Sequence, residues 1–149
     1  MPFIRCLIWV FLACLPSIAM AEAVSPLALR NVCSNAFFSQ SDVTACLEKV
    51  SADSLQALQL AEKKLAQALS EWDEDPRYIQ QAHLHAVASK KAFALYRTQQ
   101  CKLLSAISGG AAGNSYQMRH LACTSVLNQR RAAQLLEIAA ELPAKPQKH

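Results

Sequence analysis

The sequence predicts an all-α protein, an antiparallel bundle of three helices held together by two disulfides. The first observation is that apolar residues recur at steps of three and four along three long segments, the period of an amphipathic helix. The second is that no stretch alternates apolar and polar residues as a half-buried strand does. The third is the four cysteines beyond the apolar N-terminus, which suit a disulfide framework. A short extra helix near residues 26–38 would make the bundle four-helical.

The N-terminal residues 1–21 have the pattern of a secretory signal peptide. Arg5 precedes an apolar run that ends in the small-x-small sequence AMA. Pro16 interrupts the run, which is too short to favour a membrane-spanning helix of roughly 20 apolar residues. We therefore expect cleavage after Ala21, release into the periplasm and no integral membrane segment in the mature chain. The tetrapeptide FLAC, ending at Cys14, loosely resembles a lipobox but lacks the usual aliphatic residue, so lipid anchoring is the weaker alternative.

Three segments divide the rest of the chain. Residues 22–40 show no sustained period and predict an irregular lead-in, residues 41–140 predict the helical domain, and residues 141–149 predict a polar tail. Cleavage would remove one basic residue of 15, leaving 14 against 11 acidic residues and a net charge of +3. The remaining length of about 128 residues is enough for one domain with one core.

The first long helix is predicted to begin at Ser41 or Asp42, either of which can cap it. Its apolar stripe follows steps of four and three up to the turn DEDPRY. The stripe consists of Val43, Leu47, Val50, Ser54, Leu58, Ala61, Leu65, Ala68 and Trp72.

The second and third helices have equally clear signals at their ends. Asp75 is the predicted cap of the second helix, with Pro76 in its first position. Gly109 and Gly110 end that helix, and the Asn-Ser pair at 114–115 can cap the third. Short turns between long helices predict antiparallel neighbours.

The four cysteines predict two disulfides. They are separated by 12, 54 and 21 residues, so none forms the Cys-x-x-Cys pair of a zinc or thioredoxin-like site. Cys101 and Cys123 lie about eight and nine residues from the glycine turn, roughly 12–14 Å at 1.5 Å per residue. Antiparallel neighbours at equal depth can be bridged. We therefore expect Cys101 to pair with Cys123, and Cys33 with Cys46.

The sequence shows no catalytic, cofactor or metal pattern, and we predict that the protein is not an enzyme. The turn GGAAGN lacks the Gly-Lys-Ser/Thr of a phosphate loop and follows a helix rather than a strand. His83 and His85 would point about 200° apart on a helix and could not share a metal. No serine lies in Gly-x-Ser-x-Gly. Carboxylates pair only in EWDED, where helix capping explains them.

Charge is distributed unevenly along the chain. Residues 42–75 carry eight acidic residues and three lysines, whereas residues 76–136 carry eight basic residues and no acid. The two halves could face each other and partly neutralise, or they could form a two-faced surface that orients a partner. Arg97 and Arg131 lie beside the apolar stripes, and we expect each either to extend its charged end to solvent or to pair with an acid, which could come from the first long helix.

A second set of residues carries a family resemblance. The segment from residue 93 to residue 135 resembles the LprI-like lysozyme inhibitor family of bacterial envelope proteins. The resemblance consists of an aromatic residue followed by Tyr-Arg and Cys, then a Gly-Gly turn, and then Cys-x3-Leu-x3-Arg-x3-Leu. The similarity covers about residues 30–138, and it implies a small disulfide-stapled helical domain outside the cytoplasm. The motif residues are Phe93, Tyr96, Arg97, Gly109, Gly110, Leu127, Arg131 and Leu135.

The resemblance implies that the chain binds and blocks a cell-wall-degrading enzyme such as lysozyme. Animal-type lysozymes are basic, so the acidic segment EWDED is the obvious complement. The candidate partner-binding residues are Glu71, Trp72, Asp73 and Glu74, which would present an indole between carboxylates. Helix capping with a core-facing Trp72 is the alternative interpretation of the same residues.

The basic half of the chain supports an alternative function. An envelope interaction or structural module, or an immunity protein, would use it to meet an anionic surface or partner. No nucleic acid is among the expected partners. The basic residues concerned are Arg77, Lys90, Lys91, Lys102, Arg119 and Arg130.

Overall fold

The computed structural model describes residues 24–110 and 113–144, and four α-helices account for most of this part of the chain. The prediction of an all-α protein with three long helices is confirmed, and a fourth, short helix precedes them. The predicted signal peptide lies outside the described residues. The helices are α1 (Pro26–Ala36), α2 (Gln40–Glu71), α3 (Pro76–Ala106) and α4 (Ser115–Glu141).

Helix α1 corrects the prediction of an irregular lead-in over residues 22–40 and agrees with the alternative, a short extra helix near residues 26–38. Ser25 caps it by accepting a hydrogen bond from the amide of Ala28 at 3.0 Å, and Pro26 occupies the first turn. Only Cys33 of this helix is buried. Eleven residues with one buried position make too short a stripe for periodicity to reveal, and packing against α2 and α4 holds the helix in place.

Helices α2 and α4 run parallel to each other and form the main core. Near their N-terminal ends, buried Leu47 and Met118 belong to one apolar cluster, which also includes Cys33 of α1. Near their C-terminal ends, buried Leu65 and Leu135 belong to a second cluster. The N-terminal ends of α2 and α4 lie together because the chain reverses direction twice, once before α3 and once after it.

Helix α3 is the least buried of the long helices. Only Cys101 and Ser105 of its 31 residues are buried, although Phe93 and Ala86 pack partly against the second core cluster. It runs antiparallel to α2 and α4 on one side of them and leaves its outer face to solvent. Across the two described segments, no helix has the length and apolar character required to cross a bilayer.

Both predicted disulfides are confirmed. Cys33 pairs with Cys46, with their Cα atoms 5.9 Å apart, and Cys101 pairs with Cys123 at 5.5 Å. The first bridge fastens α1 to α2, and the second fastens the end of α3 to the start of α4. In the turn between these helices Gly109 has a φ of +74°, a left-handed conformation that glycine adopts because it has no Cβ.

The residues after α4 dock on the turn between α2 and α3. The carbonyl of Pro143 accepts a hydrogen bond from the amide of Asp73 at 3.0 Å, and Ala144 pairs with Trp72 in an isolated β-bridge. The first four residues of the segment 141–149, for which a polar tail is predicted, thus include two that contact this turn. The remainder of that segment lies outside the described residues.

The cap of α2 also differs from the prediction, whereas the cap of α3 agrees with it. Ser39, rather than Ser41 or Asp42, caps α2: its hydroxyl accepts from the Asp42 amide at 3.0 Å and donates to the Asp42 carboxylate at 2.6 Å. Asp75 caps α3 by accepting from the amide of Arg77 at 2.8 Å. The acid expected to be the cap of α2 instead lies in its first turn, where a negative charge favours the helix dipole.

Replacing Ser39 with alanine is expected to lower the free energy of unfolding by about 1 kcal/mol, because an orphan amide of the first turn loses its acceptor. Urea unfolding followed by circular dichroism measures the change. Ser41→Ala, two residues further along the same helix, is the matched control and should change stability little. An equal loss in the control variant would contradict the assignment of the cap.

Candidate functional site

Three of the family-motif residues meet in the middle of the bundle, where α3 faces α2 and α4. The Cζ atom of Arg97 lies 5.6 Å from the centre of the Phe93 ring, and that of Arg131 lies 5.8 Å from it. Both guanidinium groups are within the range of a cation–π interaction. One aromatic ring of α3 thus contacts a cation of its own helix and a cation of α4.

A hydrogen-bonded chain of side chains extends from Arg97 across all three long helices. Its Nη1 donates to Oδ1 of Asn128 at 2.6 Å, and Nδ2 of Asn128 donates to Oγ of Ser54 at 3.1 Å. The Ser54 hydroxyl donates to the carbonyl of Ser51 at 2.7 Å. Asn128 and Ser54 are buried, with 1% and 2% of their surface exposed, so each depends on these partners.

The expectation that acids of the first long helix pair with Arg97 and Arg131 is wrong within the described residues. Arg97 bonds to Asn128, and Nη2 of Arg131 donates to Oγ of Ser89 at 2.6 Å. The reason is geometric, because the acids of α2 lie off the stripe that faces the bundle. Only Glu62 reaches α3, and it pairs there with a lysine.

The two oppositely charged halves of the chain do not neutralise each other extensively. Among the described residues one ion pair joins them, between Lys90 and Glu62 at 2.6 Å, and the other, Lys49 with Asp53, lies within α2. This arrangement favours the two-faced surface. The other charged side chains of the two halves form no ion pair in the described part of the chain.

The acidic turn between α2 and α3 places the four candidate binding residues in different environments. Glu71, Asp73 and Glu74 are exposed, and none forms an ion pair in the described part of the chain. Trp72 is half-buried and packs against the core cluster. This packing agrees with the core-facing alternative for Trp72. The three carboxylates remain as a surface group.

Most of the other motif residues serve the fold. Leu135 is buried in the core and Leu127 is half-buried, whereas Tyr96 is 53% exposed on α3. Gly109 and Gly110 lie in the exposed turn, where an added Cβ would meet nothing within 4 Å. The positive φ of Gly109 is what requires glycine there.

Small cavities between the helices are modest in size. One of about 200 Å³ lies between α2, α3 and α4, beside Glu62, His83 and Arg131. This is below the roughly 300–1,000 Å³ of a typical small-molecule site. A second cavity, of about 310 Å³ beside Arg97 and Asn128, lies at the lower end of that range. Within residues 24–110 and 113–144, no group of three His, Cys, Asp or Glu side chains is placed to hold a metal ion. The exposed surfaces are therefore the better candidates for function.

Sequence reasoning did not identify Asn128 as a member of the central network. The buried positions of α4 include Met118, Ala122, Ser125, Asn128 and Leu135, at steps of three, four and seven. A polar residue on that stripe was the signal that could have revealed it, because buried amides require hydrogen-bond partners.

One comparison with known proteins found a match. A family model described as lysozyme inhibitor LprI matches residues 33–135. The matched segment begins at Cys33, ends at Leu135 and includes both disulfides and the central network. Searches of curated proteins and of solved structures found no match.

Proposed function

The chain belongs to the LprI lysozyme inhibitor family, and we propose that it binds and blocks a cell-wall-degrading enzyme such as lysozyme. It acts through protein–protein contact rather than by catalysis. Its site of action is the periplasm, which agrees with two disulfides that need an oxidising compartment.

The observation that supports this proposal is the unpaired acidic turn. Glu71, Asp73 and Glu74 are exposed and have no cationic partner among the described residues. A basic enzyme cleft provides the complementary charge, which accelerates encounter and fixes orientation. Docking of Pro143 and Ala144 on this turn limits its freedom, so less conformational entropy is lost on binding.

The proposal is tested with a lysis assay against several muramidases and amidases. The wild-type protein should inhibit at least one of them at near-stoichiometric amounts. Replacing Glu71, Asp73 and Glu74 together with alanine should weaken that inhibition tenfold or more, since three charges leave the contact. The unfolding midpoint should change little because all three side chains are exposed.

A charge-matched variant controls for the overall change in net charge. Glu48, Asp53 and Glu62 lie on α2 away from the turn, and their triple alanine variant should inhibit as the wild type does. Equal inhibition by both triple variants would show that the acidic turn is not the contact. Absence of inhibition by the wild type against every enzyme would refute the function itself.

A further inference from the structure

The outer face of α3 carries a row of large apolar side chains that nothing in the described structure covers. Each member of this row has between 53% and 66% of its surface exposed. At 3.6 residues per turn they fall within about 140° of the helix circumference, opposite the side that packs inward. We call this surface the α3 ridge, and its members are Leu84, Leu95, Tyr96 and Leu103 of α3 together with Ile107, the residue that follows the helix.

The position of α3 makes this surface convex. Because only Cys101 and Ser105 of the helix are buried, most of its circumference projects from the bundle. Its 31 residues extend over about 46 Å at 1.5 Å per residue. A convex apolar ridge is complementary to a deformable surface, or to a partner that offers a groove. A row of large exposed apolar side chains along one helix face is a candidate interaction site.

The charges on the α3 ridge define the chemistry of its partner. Lys91 and Lys102 lie between its apolar residues along the same face, and both are exposed. No acidic residue occurs from 76 to 136, and within the described residues the only ion pair of α3 uses Lys90. The ridge therefore offers apolar side chains and cations without any carboxylate to neutralise them.

We propose that the α3 ridge is a membrane-surface binding site that lays the helix along an anionic phospholipid bilayer. Apolar side chains enter the boundary between headgroups and acyl chains, as in helices that lie in the interface. Tyr96 suits the same depth with its apolar ring and polar hydroxyl. Lys91 and Lys102 extend their aliphatic stems along the apolar surface and place their ammonium groups among lipid phosphates.

A second copy of the chain fits the ridge less well than a bilayer does. Two α3 ridges in contact would bring lysines of the same sign together, and neither helix has an acid to pair with them. An anionic bilayer supplies a phosphate at every headgroup and adapts its shape to the convex helix. The site is separate from the acidic turn, so the proposal does not depend on enzyme inhibition.

A tryptophan placed on the α3 ridge reports on insertion once the emission of the native Trp72, measured on the wild-type protein, is subtracted. Purified Leu95→Trp protein is mixed with vesicles of phosphatidylglycerol and phosphatidylethanolamine, or of phosphatidylcholine alone. The anionic vesicles should shift the Trp emission to the blue and carry the protein into the pellet. About 0.5 M salt should weaken this binding, since it screens the lysines. Leu60→Trp, at a 55% exposed position on α2, is the control and should show no shift.

Charge variants test the electrostatic part of the proposal. Replacing Lys91 and Lys102 with glutamine should weaken binding to anionic vesicles roughly tenfold or more, on the basis of about 1 kcal/mol per cation. Lys63→Gln with Lys64→Gln makes the same charge change on exposed positions of α2 and should have little effect.

Several results would overturn the proposal. One is no binding to anionic vesicles, and another is an equal blue shift from Leu60→Trp. A third is a stable dimer by light scattering that Leu95→Gln dissociates, because a second copy would then occupy the ridge. Saturable binding of an acidic protein that blocks access to the ridge, with no binding to vesicles, would assign the surface to a protein partner.

Discussion

Replacing Cys101 and Cys123 together with alanine is expected to lower the free energy of unfolding by about 3 kcal/mol, the chain-entropy value for a loop of this size. The bridge spans 22 residues and is buried at both ends. Its loss matters because, apart from Cys101 itself, α3 has little else to hold it: buried Ser105, a partly buried Phe93 and a few hydrogen bonds. Urea unfolding of the oxidised wild type and the variant measures the difference.

The other disulfide provides the comparison. Loop length alone predicts a similar loss when Cys33 and Cys46 are replaced with alanine, because loop entropy depends only weakly on length. The structure predicts a smaller one, since α1 contributes a single buried residue while α3 completes the bundle. Amide hydrogen exchange should show lost protection throughout α3 in the first variant and mainly in α1 in the second. Equal losses with the same exchange pattern would contradict this account.

The long helices were predictable from the sequence because each has apolar residues that recur over many helical turns and pack against the core. The pairing of Cys101 with Cys123 was predictable because the two cysteines lie at nearly equal distances along the helix axes from a short turn. In antiparallel helices joined by such a turn, residues at equal distances from it lie side by side. Helix α1 could be predicted only as a possible short helix near residues 26–38, because no apolar period supports it. Its position depends on a disulfide and on contacts with α2 and α4, and neither leaves a period in 11 residues.

The candidate site was predictable in composition but not in orientation. Glu71, Trp72, Asp73 and Glu74 are adjacent in sequence, yet the structure turns the indole toward the core and leaves the three acids exposed. Orientation within a turn depends on the chain that packs against it. Here that is the C-terminal segment at Ala144, more than 70 residues away along the sequence. Such a contact cannot be predicted from the residues of the turn alone.

The same limit applies to Arg97. Its place beside an apolar stripe indicates that it needs a partner, but any partner must come from another helix. The many acidic residues of α2 suggested a carboxylate as the partner of Arg97. In the structure the partner is the neutral amide of Asn128. A neutral acceptor suffices because the rest of the guanidinium remains half-exposed and contacts the Phe93 ring. The buried end is therefore satisfied without burying a second charge.

Replacing Arg97 with methionine is expected to lower the free energy of unfolding by about 2–3 kcal/mol. The carbonyl oxygen of Asn128 would stay buried without its donor, which costs about 1–3 kcal/mol, and the contact with Phe93 would be lost as well. Arg131→Met is the matched control, since it loses a comparable contact with the same ring but leaves only an exposed Ser89 without its partner. The control should lose about 1 kcal/mol or less.

A double variant separates the buried hydrogen bond from simple loss of packing. Asn128→Leu alone removes the acceptor of Arg97, whereas Arg97→Met with Asn128→Leu removes both polar partners. Because an apolar pair has no unmet hydrogen bond, the double variant should be more stable than the sum of the two single losses by at least about 1 kcal/mol. Strict additivity in urea unfolding would contradict the coupling of these two side chains. If the folded double variant also inhibits as the wild type does, this part of the family motif serves the bundle, and the surface that meets the enzyme lies elsewhere.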